Sequence, residues 1–190
     1  MRKLTSSIYT FEKLIENNFL YVDKTEYIWR LIDSAPAMYF MSRPRRFGKS
    51  LTVSTLEAVF SGKKELFKGL AIYDKPYDWK KYPVIHLDMG DRKCDTPQVL
   101  ESSLQDAIRK CAEEHQVSAV GSDAQTQFRN LIDAVSKNAP AVILVDEYDK
   151  PILNNINNPE IETILSILKG FYSVIKTAEH QEHFDVLCCV

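Results

Sequence analysis

Met38-Tyr39-Phe40-Met41-Ser42-Arg43-Pro44-Arg45-Arg46-Phe47-Gly48-Lys49-Ser50-Leu51 is the stretch on which the fold turns. Ala37 to Met41 is an unbroken apolar run of strand length, Ser42 to Ser50 is a loop, and a helical pattern runs from Leu51 to about Phe60. A strand that feeds a loop, which in turn opens a helix at Gly48-Lys49-Ser50, suits phosphate binding. Unpaired backbone N–H groups at a helix start point at the anion, and the helix dipole favours negative charge there. In this reading Gly48 lets the backbone approach the phosphates and Lys49 reaches the β- and γ-phosphates. The Ser50 hydroxyl ligates Mg²⁺. In the pattern G-x-x-x-x-G-K-[ST] the first glycine falls at position 43, which is Arg43 here. Taken alone, the tripeptide also reads as a surface Gly-Lys-Ser at a helix N-terminus.

A second segment strengthens the phosphate-loop reading. Val142-Ile143-Leu144-Val145-Asp146-Glu147 is an apolar strand ending in adjacent carboxylates. Beside a phosphate loop, the first carboxylate holds Mg²⁺, directly or through water, and the second acts as general base on the attacking water. The plain alternative is two carboxylates that end a strand and cap the next segment. The two motifs together are far more specific than either alone.

Around these segments, Val84–Asp88 and Phe184–Val190 read as further strands. Helices are expected over Thr10–Asn18, Lys24–Asp33, Pro97–His115, Ala124–Lys137 and Glu160–Thr177, with Asp23 and Glu26 forming a capping box. Continuous apolar strands between amphipathic helices predict an α/β fold with a mostly parallel sheet covered on both faces. The 190 residues suit one domain, in which residues 1–36 form a helical segment leading into the core. The formal net charge of −2 gives no global basic field for nucleic acid. No apolar run reaches the ~20 residues of a membrane span. The four cysteines lack a C-x-x-C pair and read as reduced thiols, so a cytoplasmic location is expected.

Tyr21-Val22-Asp23-Lys24-Thr25, Ser42-Arg43-Pro44-Arg45-Arg46-Phe47-Gly48-Lys49-Ser50 and Val145-Asp146-Glu147-Tyr148-Asp149-Lys150-Pro151 together resemble the bacterial AAA-ATPase-like family, over essentially the whole chain. In that family Arg-Pro-Arg-Arg-Phe-Gly-Lys replaces the Gly-rich opening. The resemblance implies a three-layer P-loop NTPase fold of the additional-strand type, with one strand inserted between the Walker A and Walker B strands. By position the inserted strand is the one from Phe184. Members commonly continue into further domain elements and a region resembling PD-(D/E)XK nucleases. With its last residue at Val190, the chain is expected to be a truncated form, incomplete at the C-terminal side of the fold.

These motifs define the expected site. Lys49, Glu147 and Arg46 are catalytic. Arg45, Arg46, Phe47, Gly48, Lys49, Ser50, Leu51 and Tyr21 bind the nucleotide, and Ser50 and Asp146 hold the metal. Arg45 or Arg46 neutralises γ-phosphate charge, or else belongs to a solvated basic loop. Tyr21 or Phe19 touches adenine, or is ordinary core. Asp88 faces the nucleotide side of the sheet or simply ends its strand. Asp149 supports the Mg²⁺ waters or caps the Lys150-Pro151 turn. His86 is a hydrogen-bonded core or face residue, and His180 and His183 lack a third metal ligand. The expected ligands are ATP and Mg²⁺, with hydrolysis driving a conformational change. The alternative is a nucleotide-binding regulatory module with little turnover. A phosphoryl-transferring kinase is a further reading, although neither an arginine-rich lid nor an acceptor pocket is legible. Expected partners are a second copy or a partner protein domain, without a membrane, and nucleic acid by family analogy alone.

Overall fold

Four strands of the computed structural model form one sheet: β1 Ala37–Phe40, β2 Val84–Asp88, β3 Ala141–Asp146 and β4 Phe184–Cys189. The structure describes residues 3–5, 7–33, 37–42, 44, 46–179 and 184–189, with backbone alone at 37, 179 and 184–189. The strand order is β1-β4-β3-β2, and every neighbouring pair is parallel. β4 therefore lies between β1 and β3, where the resemblance put the inserted strand. The helices α1 Phe11–Glu16 and α2 Thr25–Asp33 precede β1; parallel neighbours need long crossovers, and those are carried by α3 Lys49–Phe60, α4 Pro97–Glu114, α5 Ala124–Val135, α6 Lys150–Leu153 and α7 Ile161–Glu179. None of the described helices is long and apolar enough to cross a membrane.

β3 is buried along its whole length, as expected for a strand covered on both faces. Alternation divides its side chains. Ala141, Ile143 and Val145 enter a core with α4, α5 and α7, where Phe128 stacks on Phe171 at 4.6 Å between ring centres. Val142 and Leu144 enter a second core with Phe11, Ile28, Val53, Leu56 and Phe67 on the α1–α3 side. At the β2 edge, α4 covers the open carbonyls: His115 Nε2 donates to Val84 O at 2.8 Å and the Cys111 thiol to His86 O at 3.6 Å. Burial pushes the Cys111 thiol up to about 11, so it stays protonated at neutral pH, and Cys94 and Cys111 are both free.

Local side-chain caps open α4 and α5. Thr96 accepts from Val99 N ahead of α4, and Asp123 accepts from Thr126 N at 2.7 Å ahead of α5. The expected capping box at Asp23 and Glu26 does not form, because tertiary partners claim both side chains. Asp23 accepts from Thr25 N, Thr25 Oγ1 and Ala71 N at 2.7–2.8 Å, and Thr25 Oγ1 accepts from the buried Ile72 N. Glu26 instead pairs with Lys75 and Arg30. The Val-Asp-Lys-Thr motif thus pins the short 3-10 helix Ala71–Asp74 onto the start of α2.

Asp23→Ala removes three acceptor contacts and strands backbone donors, so it should cost about 1–3 kcal/mol in urea unfolding. Burial works against the Asp23 charge, but the bonds from Thr25 and Ala71 outweigh it and hold the carboxyl below its ordinary range. Its contribution is therefore present above the unfolded-state value and lost as pH falls through the lower folded value. The stability gap between wild type and Asp23→Ala should narrow in that acidic window. An equal gap at every pH would remove the charge from the explanation.

Candidate functional site

Because β1 and β3 run parallel, the loop after β1 and the carboxylates after β3 leave the sheet at the same end. Among its described residues the loop carries two in the left-handed region, Arg46 at φ 65° and Gly48 at φ 74°. Gly48 precedes α3 with no side-chain cap, and Thr52 N donates to its carbonyl at 2.9 Å. A Cβ on Gly48 would meet nothing within 4 Å but would sit on a strained backbone. Glycine therefore keeps this turn relaxed. The first turn of α3 holds no acidic residue that would compete for an anion. Lys49 and Ser50 are the first two residues of the helix and are partly exposed.

Other expected contacts divide. Arg46 and Phe47 are exposed on the loop, whereas the Leu51 side chain packs into the α1–α3 core, leaving its backbone N–H for any ligand. Arg45 lies outside the described residues, as do Arg43, His180 and His183. Tyr21 is placed against Phe11, edge to face at 5.1 Å, with its hydroxyl on Thr55 of α3. Burial raises its pKa. Thr55 lies more than a helical turn beyond Ser50, so Tyr21 is not drawn to the loop.

Asp146 shares its face with Val142 and Leu144, the face that carries α3. It is 6% exposed, and its Oδ1 has no hydrogen-bond partner. A buried carboxylate oxygen left unsatisfied is costly, and a cation compensates it. Its place fits the hard-oxygen chemistry of Mg²⁺, which takes one or two carboxylates and keeps water and phosphate for the rest. Among the described residues no three His, Cys, Asp or Glu side chains cluster to hold a metal by protein alone.

Asp88 is paired in register with Asp146, on the same face. Its Oδ1 accepts from Gly90 N at 2.8 Å. Glu147 occupies a left-handed backbone position, φ 51°, which turns its side chain out of the strand alternation. A Cβ on Gly90 would lie 3.1 Å from Asp88 Oδ1 and 3.2 Å from Glu147 Oε2. Glycine at 90 thus lets both carboxylates pack over the β2–β3 ends. Lys150 Nζ donates to Glu147 Oε2 at 3.0 Å. The importance of Lys150 and Gly90 was not read from the sequence. The only signal was the Glu-to-Lys spacing of three, which becomes a contact because α6 begins there. Asp149 precedes α6 without a side-chain cap.

His86, on the α3 face of β2, puts Nδ1 3.1 Å from Glu57 Oε2 of α3. Burial disfavours the His86 cation, but Glu57 and, in smaller part, Asp146 and Asp88 together outweigh it, so its pKa is raised. The same bond holds Glu57 below its ordinary range.

Residues 6–190 match the family described as predicted AAA-ATPase. Over 191 residues the chain is 37% identical to an uncharacterized protein in the vnfD 5′ region of Azotobacter chroococcum mcd 1, covering 98% of this chain and 37% of that protein. The chain therefore spans little more than a third of the length of the curated relative it matches. No solved structure matches it. With its small parallel sheet and a family match across nearly its whole length, the chain belongs to the AAA-ATPase-like family.

Proposed function

We propose that the chain is a P-loop module of the additional-strand type that binds ATP with Mg²⁺ and hydrolyses it. The observation that carries the reading is a juxtaposition. The open start of α3 at Gly48-Lys49-Ser50 and the buried, partnerless Asp146 lie at one end of the sheet, on one face. In this reading the α3 N–H groups and Lys49 bind the β- and γ-phosphates, and Arg46, with Arg45, neutralises charge on the γ-phosphate. Ser50 and Asp146 would hold Mg²⁺, which would supply neutralisation of phosphate charge. Glu147 orients the attacking water and takes its proton. Tyr21 acts from behind α3, and adenine contact falls to residues nearer the loop.

One observation favours the second reading, a nucleotide-dependent binding module with little turnover. Lys150 Nζ donates to Glu147 Oε2, so that carboxylate oxygen is already engaged and is not free to turn to an attacking water. Nucleic-acid cleavage, the activity of a longer relative and self-association are outside the proposal.

The test is binding of a fluorescent ATP analogue. Lys49→Ala should weaken Mg²⁺-dependent affinity by about 10–100-fold, the scale of one charge-assisted phosphate contact. Unchanged affinity in this variant, or no binding by a folded wild type, would sink the reading.

A further inference from the structure

On the open edge of β2 the Asp88 carbonyl, like those of Val84 and His86, is held by a side chain: Arg92 Nε donates to it at 2.6 Å. Arg92 Nη1 donates to Ser103 O of α4 at 3.1 Å. Both acceptors are neutral carbonyls, and among the described residues Arg92 makes no salt bridge. A guanidinium fixed in place by neutral partners keeps its charge, and its remaining N–H groups, for a ligand.

Arg92 stands in the wall of an open groove of about 480 Å³ between the loop after β2 and the outer side of α4. Lys93 and Lys110 line the same groove, exposed and without salt bridges among the described residues, and Arg109 lies beside them. Against these four cations stand two carboxylates, Asp91 and Asp106. Asp106 is already taken by Arg109 at 2.8 Å. Arg109, with smaller help from Lys110 and Arg92, holds the Asp106 carboxyl below its ordinary range, so one carboxylate serves three cations. The whole chain carries −2, so this excess of positive charge is local.

We infer that the groove is a docking site for an acidic peptide segment of a partner protein. From Gln98 to Lys110 its α4 wall is about 18 Å long at 1.5 Å per residue, the span of about five or six extended residues. It is open and polar, with Val99 the one apolar side chain in its lining, unlike the apolar pockets that hold small molecules. No aromatic lines it, so nucleic-acid bases find no stacking surface. Asp91 and Asp106 would also repel a regular phosphate backbone. The side chains of an acidic peptide can instead be spaced to meet the cations and avoid the carboxylates, while Gln98 and Ser102 offer hydrogen bonds to its amides. The groove lies on the α4 side of the sheet, opposite α3, and its occupancy needs no nucleotide.

The full chain, without nucleotide or metal, is titrated into fluorescein-labelled hexaglutamate and followed by anisotropy. Saturation below about 1 mM is expected. Lys93→Gln/Lys110→Gln, at exposed positions where the fold is indifferent, should weaken binding about fivefold or more. Arg92→Lys keeps the charge but loses the fixed fork, and should weaken it about tenfold. Lys49→Ala, at the start of α3, should bind the peptide as wild type does. No saturation by the folded chain, or unchanged affinity in the double lysine variant, would overturn the inference. Wild-type affinity in a folded Arg92→Lys would reduce the groove to unspecific charge and overturn it too. Loss of binding in Lys49→Ala would move the anion to the loop before α3. Displacement of the peptide by hexathymidylate at lower concentration than by unlabelled hexaglutamate would make the ligand a nucleic acid. Either result rejects an acidic-peptide groove on α4.

Discussion

Glu147→Gln should lower ATP turnover by about 10²–10⁴-fold, the contribution of a positioned general base, with nucleotide affinity nearly unchanged. Glutamine keeps the shape of the side chain, so it still fits the space that Gly90 leaves over the β2–β3 ends. What it loses is the capacity to accept a proton, together with the charge that faces Lys150. That ion pair is partly exposed on both sides and is worth about 0–1 kcal/mol, so the thermal midpoint should move little. The measurement is phosphate release alongside binding of the fluorescent analogue. Turnover equal to wild type would remove Glu147 from the base role. Loss of binding together with turnover would make it a structural residue. A wild type that binds but does not turn over would favour the binding-module reading, with the Lys150 tie as its physical cause.

Phe128→Ala should destabilise the fold by about 3–5 kcal/mol, as a large aromatic is cut out of a filled core. Phe128 is fully buried and stacks on Phe171, which ties α5 to α7 over the sheet face opposite α3. That loss is a large share of a total stability of ~5–15 kcal/mol. The elements of the proposed nucleotide site sit on the other face, so affinity per folded molecule should hold. Urea unfolding gives the first number, and binding at a urea concentration well below the transition gives the second. A cost below about 1 kcal/mol would mean that this core relaxes around the cavity. Weakened binding by the folded fraction would mean that the two faces are coupled through β3.

The elements nearest the chemistry were legible because their signals are local. A four-residue apolar strand, a glycine that tolerates a left-handed turn and a helix start after Gly48 arise from the residues themselves. So does β3, whose six buried residues read as one apolar run. α6 escaped because a single four-residue turn offers no period to detect. The Asp23–Glu26 capping box looked right locally and was wrong, since Ala71 and Lys75, far away in sequence, compete for those carboxylates.

By itself the sequence determined which segments are strands and which are the longer helices, and that a Gly-Lys-Ser helix start and an Asp-Glu strand end exist. Hydrophobic periodicity and backbone preference act over a few residues, and that range suffices for such features. The place of β4 between β1 and β3 came from the family resemblance and not from local pattern, and only the tertiary structure decided that β2 lies at the edge beside β3, that Asp88 stands in register with Asp146, and that Asp146 is buried with an orphaned oxygen. Strand order and register come from which helices cover which face, and that depends on contacts between residues far apart in the chain.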